Sequence, residues 1–134
     1  MEKNLQELIM EHEPHVSLDT ANLLKQAGFD WNCQGFYKEN VFYSGSIEYC
    51  SNYHYQESVY AKAPTLDVAQ RWLREVHHLH ITIFSSSQES WMFRITKQHQ
   101  SLEDGVYGED FYTYEEAQEA SIKKALEIIL EKGE

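Results

Sequence analysis

The stretch that decides the fold runs from Pro64 to Phe84 and reads PTLDVAQRWLREVHHLHITIF. Its first half is a helix whose start is written in. Thr65 offers a side-chain oxygen to the first free backbone amides, and Asp67 places negative charge where those amides point outward. Leu66, Ala69, Trp72, Leu73 and Val76 then recur at intervals of three and four, which predicts a helix over 66–77 with one wide apolar stripe. His77 and His78 fall in its last turn, where the helix dipole favours positive charge. Beyond them the period changes to two. Ile81 and Ile83 share one side, and His80, Thr82 and Phe84 share the other. A one-striped helix running into a half-apolar strand calls for an α+β arrangement.

The flanking sequence extends the same grammar. Ser85 to Ser90 is a polar turn, and Trp91, Phe93 and Ile95 alternate after it, which predicts an antiparallel hairpin. Upstream, Ser17 is a good N-cap with Asp19 in the first turn. Leu18, Ala21, Leu24 and Ala27 form a stripe widened by Leu23, and Gly28 is a C-cap glycine closed by Phe29. This predicts a helix over about 18–27. Gly35-Phe36-Tyr37 and Val41-Phe42-Tyr43 flank Lys38-Glu39-Asn40 as a second hairpin, whereas Ile47 to Tyr55 shows no clean alternation and reads as a long irregular loop. Residues 98–110 are polar, with Gly105 and Gly108, and read as an exposed connection. Thr113 and Glu116 make a capping box for a last helix ending near Glu131. Its expected buried face is Tyr114, Ala117, Ile122, Ala125, Leu126 and Ile129, with Lys123 and Lys124 facing away. Leu5, Leu8 and Ile9 have helical spacing before Pro14.

These pieces give an expected architecture: residues 1–15 as an N-terminal arm or short helix, and 16–134 as a single α+β domain. In it, two or three helices pack on one face of a small antiparallel sheet. A chain of 134 residues buries about two-thirds of its unfolded surface, enough for a core without disulfides or metals. No internal repeat is visible.

Charge narrows the functional classes. Eleven Lys and Arg stand against 22 Asp and Glu, a formal charge of −11. Phosphate-backbone binding needs concentrated positive charge, and here the basic residues are scattered apart from Lys123-Lys124. Direct nucleic-acid binding is disfavoured, as is an acidic membrane. No apolar run approaches the ~20 residues of a membrane span, residues 1–15 lack a signal-type apolar stretch, and the expected compartment is the cytoplasm. An acidic surface suits either a solvated protein or one aimed at a basic partner, such as an inhibitor that mimics nucleic acid.

The motifs of familiar chemistry are not present. There is no GxGxxG, no GxxxxGK[ST], no GxSxG elbow and no CxxC. Cys33 and Cys50, sixteen residues apart, are expected as thiols in structural settings, since neither has a neighbouring cation to activate it. Glu109-Asp110 and Glu115-Glu116 read as solvated charge and dipole partners. The densest ligand-type cluster is His77, His78 and His80; with a strand beginning near residue 79, His78 and His80 project to one side, and Glu75 or His54 would add a third ligand for zinc, copper or nickel. The competing interpretation is a helix terminus whose imidazoles stack and cap carbonyls. No cofactor is expected on the leading reading. Tyr43, Tyr49, Tyr53, Tyr55 and Tyr60 crowd one region, and Tyr49, Tyr53, Tyr55 and Tyr60 are the candidate binding residues. Tyrosine buries a ring while keeping a hydroxyl for a partner.

Several of these patterns coincide in one family. Val16-Ser17 through Leu24, then Gly28-Phe29-Asp30 on to Tyr37, resembles the opening of a family of small uncharacterised proteins abundant in Bacteroides-type gut bacteria, their phages and other mobile elements. Ala63-Pro64-Thr65, then Ala69-Gln70-Arg71-Trp72-Leu73-Arg74-Glu75-Val76-His77 leading into His80-Ile81, is similar to that family's hallmark helix. Tyr112-Thr113-Tyr114-Glu115-Glu116-Ala117 is similar to its closing helix. The tyrosine-rich stretch at 47–60 and the additional His78 depart from it. The resemblance spans roughly residues 16–130 and implies a bacterial or phage accessory protein, with no particular activity attached. The leading functional reading is a non-enzymatic module binding an unidentified protein partner, with an acidic inhibitor of a nucleic-acid enzyme as its sharper form. The alternative is a small metal-dependent or ligand-binding enzyme centred on Glu75, His77, His78 and His80. A third reading is a homo-oligomeric structural part whose exposed tyrosines meet between copies.

Overall fold

A computed structural model describes residues 14–44, 60–86 and 89–132. The arm or short helix expected at 1–15 lies outside them as far as residue 13, as do the stretch Ile47 to Tyr55 and Cys50.

The first helix, α1, spans Leu18–Gln26. Ser17 caps it by accepting the Thr20 amide at 3.3 Å. At the other end Gly28 takes φ 93, which lets the Phe29 N–H return to the Leu24 carbonyl at 2.9 Å and the Gly28 N–H to that of Lys25 at 3.2 Å. This is the glycine-closed ending that the sequence predicts. Phe29 is buried with its ring edge-on to Trp72, centroids 5.4 Å apart.

Next comes a hairpin of β1 (Gly35–Lys38) and β2 (Val41–Ser44), with Lys38 opposite Val41. Glu39 and Asn40 both have positive φ, 51° and 69°. A two-residue loop needs that conformation to follow the right-handed twist of the strands. Tyr60–Lys62 forms β3 and pairs antiparallel with β1, so the order is β2-β1-β3.

The second helix, α2, spans Leu66–His77, with Thr65 accepting the Val68 amide at 3.3 Å. It buries Leu66, Ala69, Trp72 and Leu73; Val76 is exposed. Strands β4 (Leu79–Ser85) and β5 (Trp91–Lys97) form the expected hairpin, pairing Ile81 with Ile95 and Ile83 with Phe93. The connection expected at 98–110 is structured instead. A 3₁₀ turn, Leu102–Asp104, leads into β6 (Val106–Phe111), which pairs with β5 to give the order β4-β5-β6. Gly108 hid this strand. A Cβ there would lie 2.3 Å from the Phe93 ring, so glycine is what lets β6 close on its neighbour. A bulge shifts the β5–β6 register between Trp91 and Phe93, and on β6 Asp110 stands at φ 72.

The last helix, α3, spans Tyr114–Glu131. Thr113 accepts the Glu116 amide at 3.0 Å, and the Glu116 carboxylate accepts from Tyr112 N–H, one residue beyond the usual capping-box donor. Its buried face is Ala117, Ile122, Ala125, Leu126 and Ile129 with two polar additions, Gln118 and Ser121. Tyr114, placed on that face by its spacing, is exposed and meets the edge of Trp91 at 5.4 Å.

The α+β class therefore holds, with the antiparallel strands divided between two three-stranded sheets. One apolar cluster joins them: Val16, Leu24, Ala61, Trp72, Leu73, Phe93, Ile95, Ile122 and Leu126 belong to it. Two polar devices lock the helices around this core. Ser17 donates to Glu119 from its N–H (3.2 Å) and its hydroxyl (2.9 Å), and the fully buried Thr20 hydroxyl donates to the same carboxylate. Gln118 donates to Asp67 at 2.8 Å and to Gln70 at 2.9 Å, and Gln70 donates in turn to the Ile81 carbonyl on β4 at 3.1 Å.

Candidate interaction surface

The histidine cluster is divided by the turn that ends α2. His77 leans on Trp72, ring centroids 4.7 Å apart and steeply inclined. Burial lowers its pKa below 6.5, and the neighbouring His78 lowers it further. Its Nε2 is shut off from water and has no hydrogen-bond partner among the described residues. His78 caps the helix in the left-handed conformation at φ 59, its N–H returned to the Leu73 carbonyl. His80 is exposed on β4 opposite Thr96. Glu75 lies 3.7 Å from both Arg71 and Arg74. Among the described residues no three His, Cys, Asp or Glu side chains form a group that could hold a metal ion. The structure does not assemble Glu75, His77, His78 and His80 into one.

Of the tyrosines singled out, Tyr49, Tyr53 and Tyr55 lie outside the described residues, as does His54. Tyr60 is half-buried in β3, its ring 5.7 Å from Phe36 and 5.5 Å from the Lys38 ammonium. Its carbonyl accepts from Lys25 at 2.8 Å. With Phe36 and Cys33 it makes a small second cluster, so this ring packs its own sheet. Cys33 is a buried thiol donating to the Gly35 carbonyl at 3.2 Å. Tyr37 donates to the Val16 carbonyl at 3.0 Å, and burial, then the charge of Glu119, raises its pKa above 10.0.

The surface that sequence reasoning missed lies between the 3₁₀ turn and the start of α3. Leu102, Tyr107, Tyr112 and Tyr114 are all exposed there, Tyr112 at 89%. The Tyr107 hydroxyl donates to the Leu102 carbonyl at 2.9 Å, which ties the ring to the 3₁₀ turn. Exposed Glu103, Asp104, Glu109, Asp110 and Glu115 belong to the same stretch, with no ion-pair partner among the described residues. Glu116 and Glu119 already serve the caps of α3 and α1. A signal was available: residues 98–122 hold seven carboxylates, three tyrosines and not one Lys or Arg. Their even spread over a turn, a strand and a helix start made them read as ordinary solvated charge.

No family model, curated protein or solved structure matches the chain.

Proposed function

We propose that the chain is a non-enzymatic protein-binding module of a bacterial or phage accessory system, holding a basic partner on the face from Leu102 to Glu115. The observation that carries this is the exposure, within residues 102–115, of three tyrosines and of five carboxylates that have no ion-pair partner among the described residues. Each part has a physical task. A tyrosine ring buries a large apolar area with few torsions to freeze, and it stacks on arginine or lysine at about 0.5–2 kcal/mol. The carboxylates steer a positive surface into place and reject negative ones. A partner built to hold nucleic acid offers such a surface, which is the inhibitor form of the reading. In this reading the module works in the cytoplasm. No described helix is long and apolar enough to cross a membrane.

The test is affinity capture with paired baits, wild type and Tyr107→Ser/Tyr112→Ser, each at low and at high salt. The reading expects one stoichiometric partner with a basic surface, held by wild type at low salt and lost both from the variant and at high salt. Identical captured proteins on the two baits would overturn it.

A further inference from the structure

A cleft of about 360 Å³ opens where α2 and α3 end, on the side of Val76, His77, His78, Leu79, Lys97 and Lys132. Helix α3 is 18 residues long, so this cleft lies about 27 Å along it from the tyrosine face at its start. Its chemistry is the reverse of the chain as a whole. Ile128 and Ile129 complete an apolar wall, and among the described residues the polar lining is two lysines and two histidines, with no carboxylate. Two helix C-termini contribute about half a negative charge each, which Lys97 balances before any histidine is protonated.

Two further features mark this place. His77 lines the cleft, and its Nε2 is shielded from water with no partner among the described residues, a costly state for a polar atom that turning the ring toward a ligand relieves. His78 holds a left-handed conformation in which glycine is at ease and a side chain is strained. The chain keeps an imidazole on the rim where a plain helix ending asks for glycine.

We infer that this cleft binds a small amphipathic carboxylate, its head held by Lys97 and the histidine rim and its apolar body lying on Val76, Leu79 and Ile128. The volume falls within the range of small-molecule sites. The probe is octanoate, titrated into the full chain without a histidine tag and followed by two-dimensional NMR, with octanol as the uncharged control. Saturable binding is expected with a dissociation constant of about 1 mM. Shifts should gather at residues 76–79, 97 and 128–132 and include the His77 ring. Lys97→Met, which keeps the aliphatic stem, should weaken octanoate roughly tenfold and leave octanol unchanged. His78→Gly should raise the melting temperature while weakening octanoate. Octanol binding as tightly as octanoate, shifts elsewhere, no saturation by about 10 mM, or unchanged affinity in Lys97→Met would each overturn the inference. Loss of the partner captured through the tyrosine face would leave it standing, since the two sites share no residue.

Discussion

Replacing Glu119 with alanine should cost the fold about 2–3 kcal/mol, although the residue is on the last helix and its donors are on the first. The carboxylate takes the Ser17 N–H, the Ser17 hydroxyl and the Thr20 hydroxyl. Ser17 is exposed and can turn to water, so its loss counts for little. Thr20 has no exposure, and stranding its hydroxyl costs about 1–3 kcal/mol. Removing negative charge from the amino end of α1 adds about 0.3–1 kcal/mol. For a chain of this size the sum corresponds to a fall in melting temperature of roughly 10 °C. Urea unfolding followed by circular dichroism gives the number, with the slope against urea unchanged if the denatured state is unaltered. A double-mutant cycle with Thr20→Val isolates the contact. In the valine background Glu119→Ala should cost at least about 1 kcal/mol less. A loss below about 0.5 kcal/mol, or strict additivity with Thr20→Val, would refute the account of α1 as a helix capped from across the fold.

Other outcomes follow from single contacts. Gly108→Ala sets a methyl against the Phe93 ring and should destabilise by about 1–3 kcal/mol, with hydrogen exchange accelerated first in Val106–Phe111. Gln118→Ala removes the donor shared by Asp67 and Gln70 and opens a gap in the stripe. A loss of about 2 kcal/mol is expected in urea, against a much smaller one for exposed Glu115→Ala. His77 has its pKa lowered by burial and then by His78, so the unfolded chain takes up this proton first as pH falls. The stability is full above the unfolded value near 6.5 and is lost as pH drops toward the folded one. The urea midpoint should fall between pH 7.5 and pH 5.5 (roughly the window of that titration) more steeply in wild type than in His77→Phe.

The helices were legible because their ends carry local chemistry. Ser17, Thr65 and Thr113 each accept an amide three residues on, and a short-range rule needs nothing more. The hairpins were legible by alternation. Strand β6 was not, since the glycine that permits its approach to Phe93 looks, in sequence, like the glycine that breaks a strand. Nor could local pattern tell that β1 pairs with β3 across the long stretch between Lys38 and Tyr60, or that the strands divide into two sheets. Such pairings rest on which apolar faces meet in the core. Gln118 and Ser121 interrupt the α3 stripe for the same reason, since their partners and packing arise only after folding. The candidate surface was half legible. Its aromatic and acidic character was expected from composition, and its place on the chain was not. The cluster chosen was Tyr49, Tyr53, Tyr55 and Tyr60, of which the one described, Tyr60, packs its own sheet. Tyr107, Tyr112 and Tyr114 form no dense run in sequence, and their exposure is seen only once β6 and the start of α3 are in place.

Hydrogen exchange of the chain, alone and in its captured complex, bears most directly on the central claim that this folded surface, rather than a reactive centre, does the work. Protection confined to the peptides covering 102–116, fading as salt is raised, is the predicted result. Protection centred on Val41–Ser44 or on the histidines of the α2 terminus, with 102–116 exchanging as in the unbound chain, would contradict it.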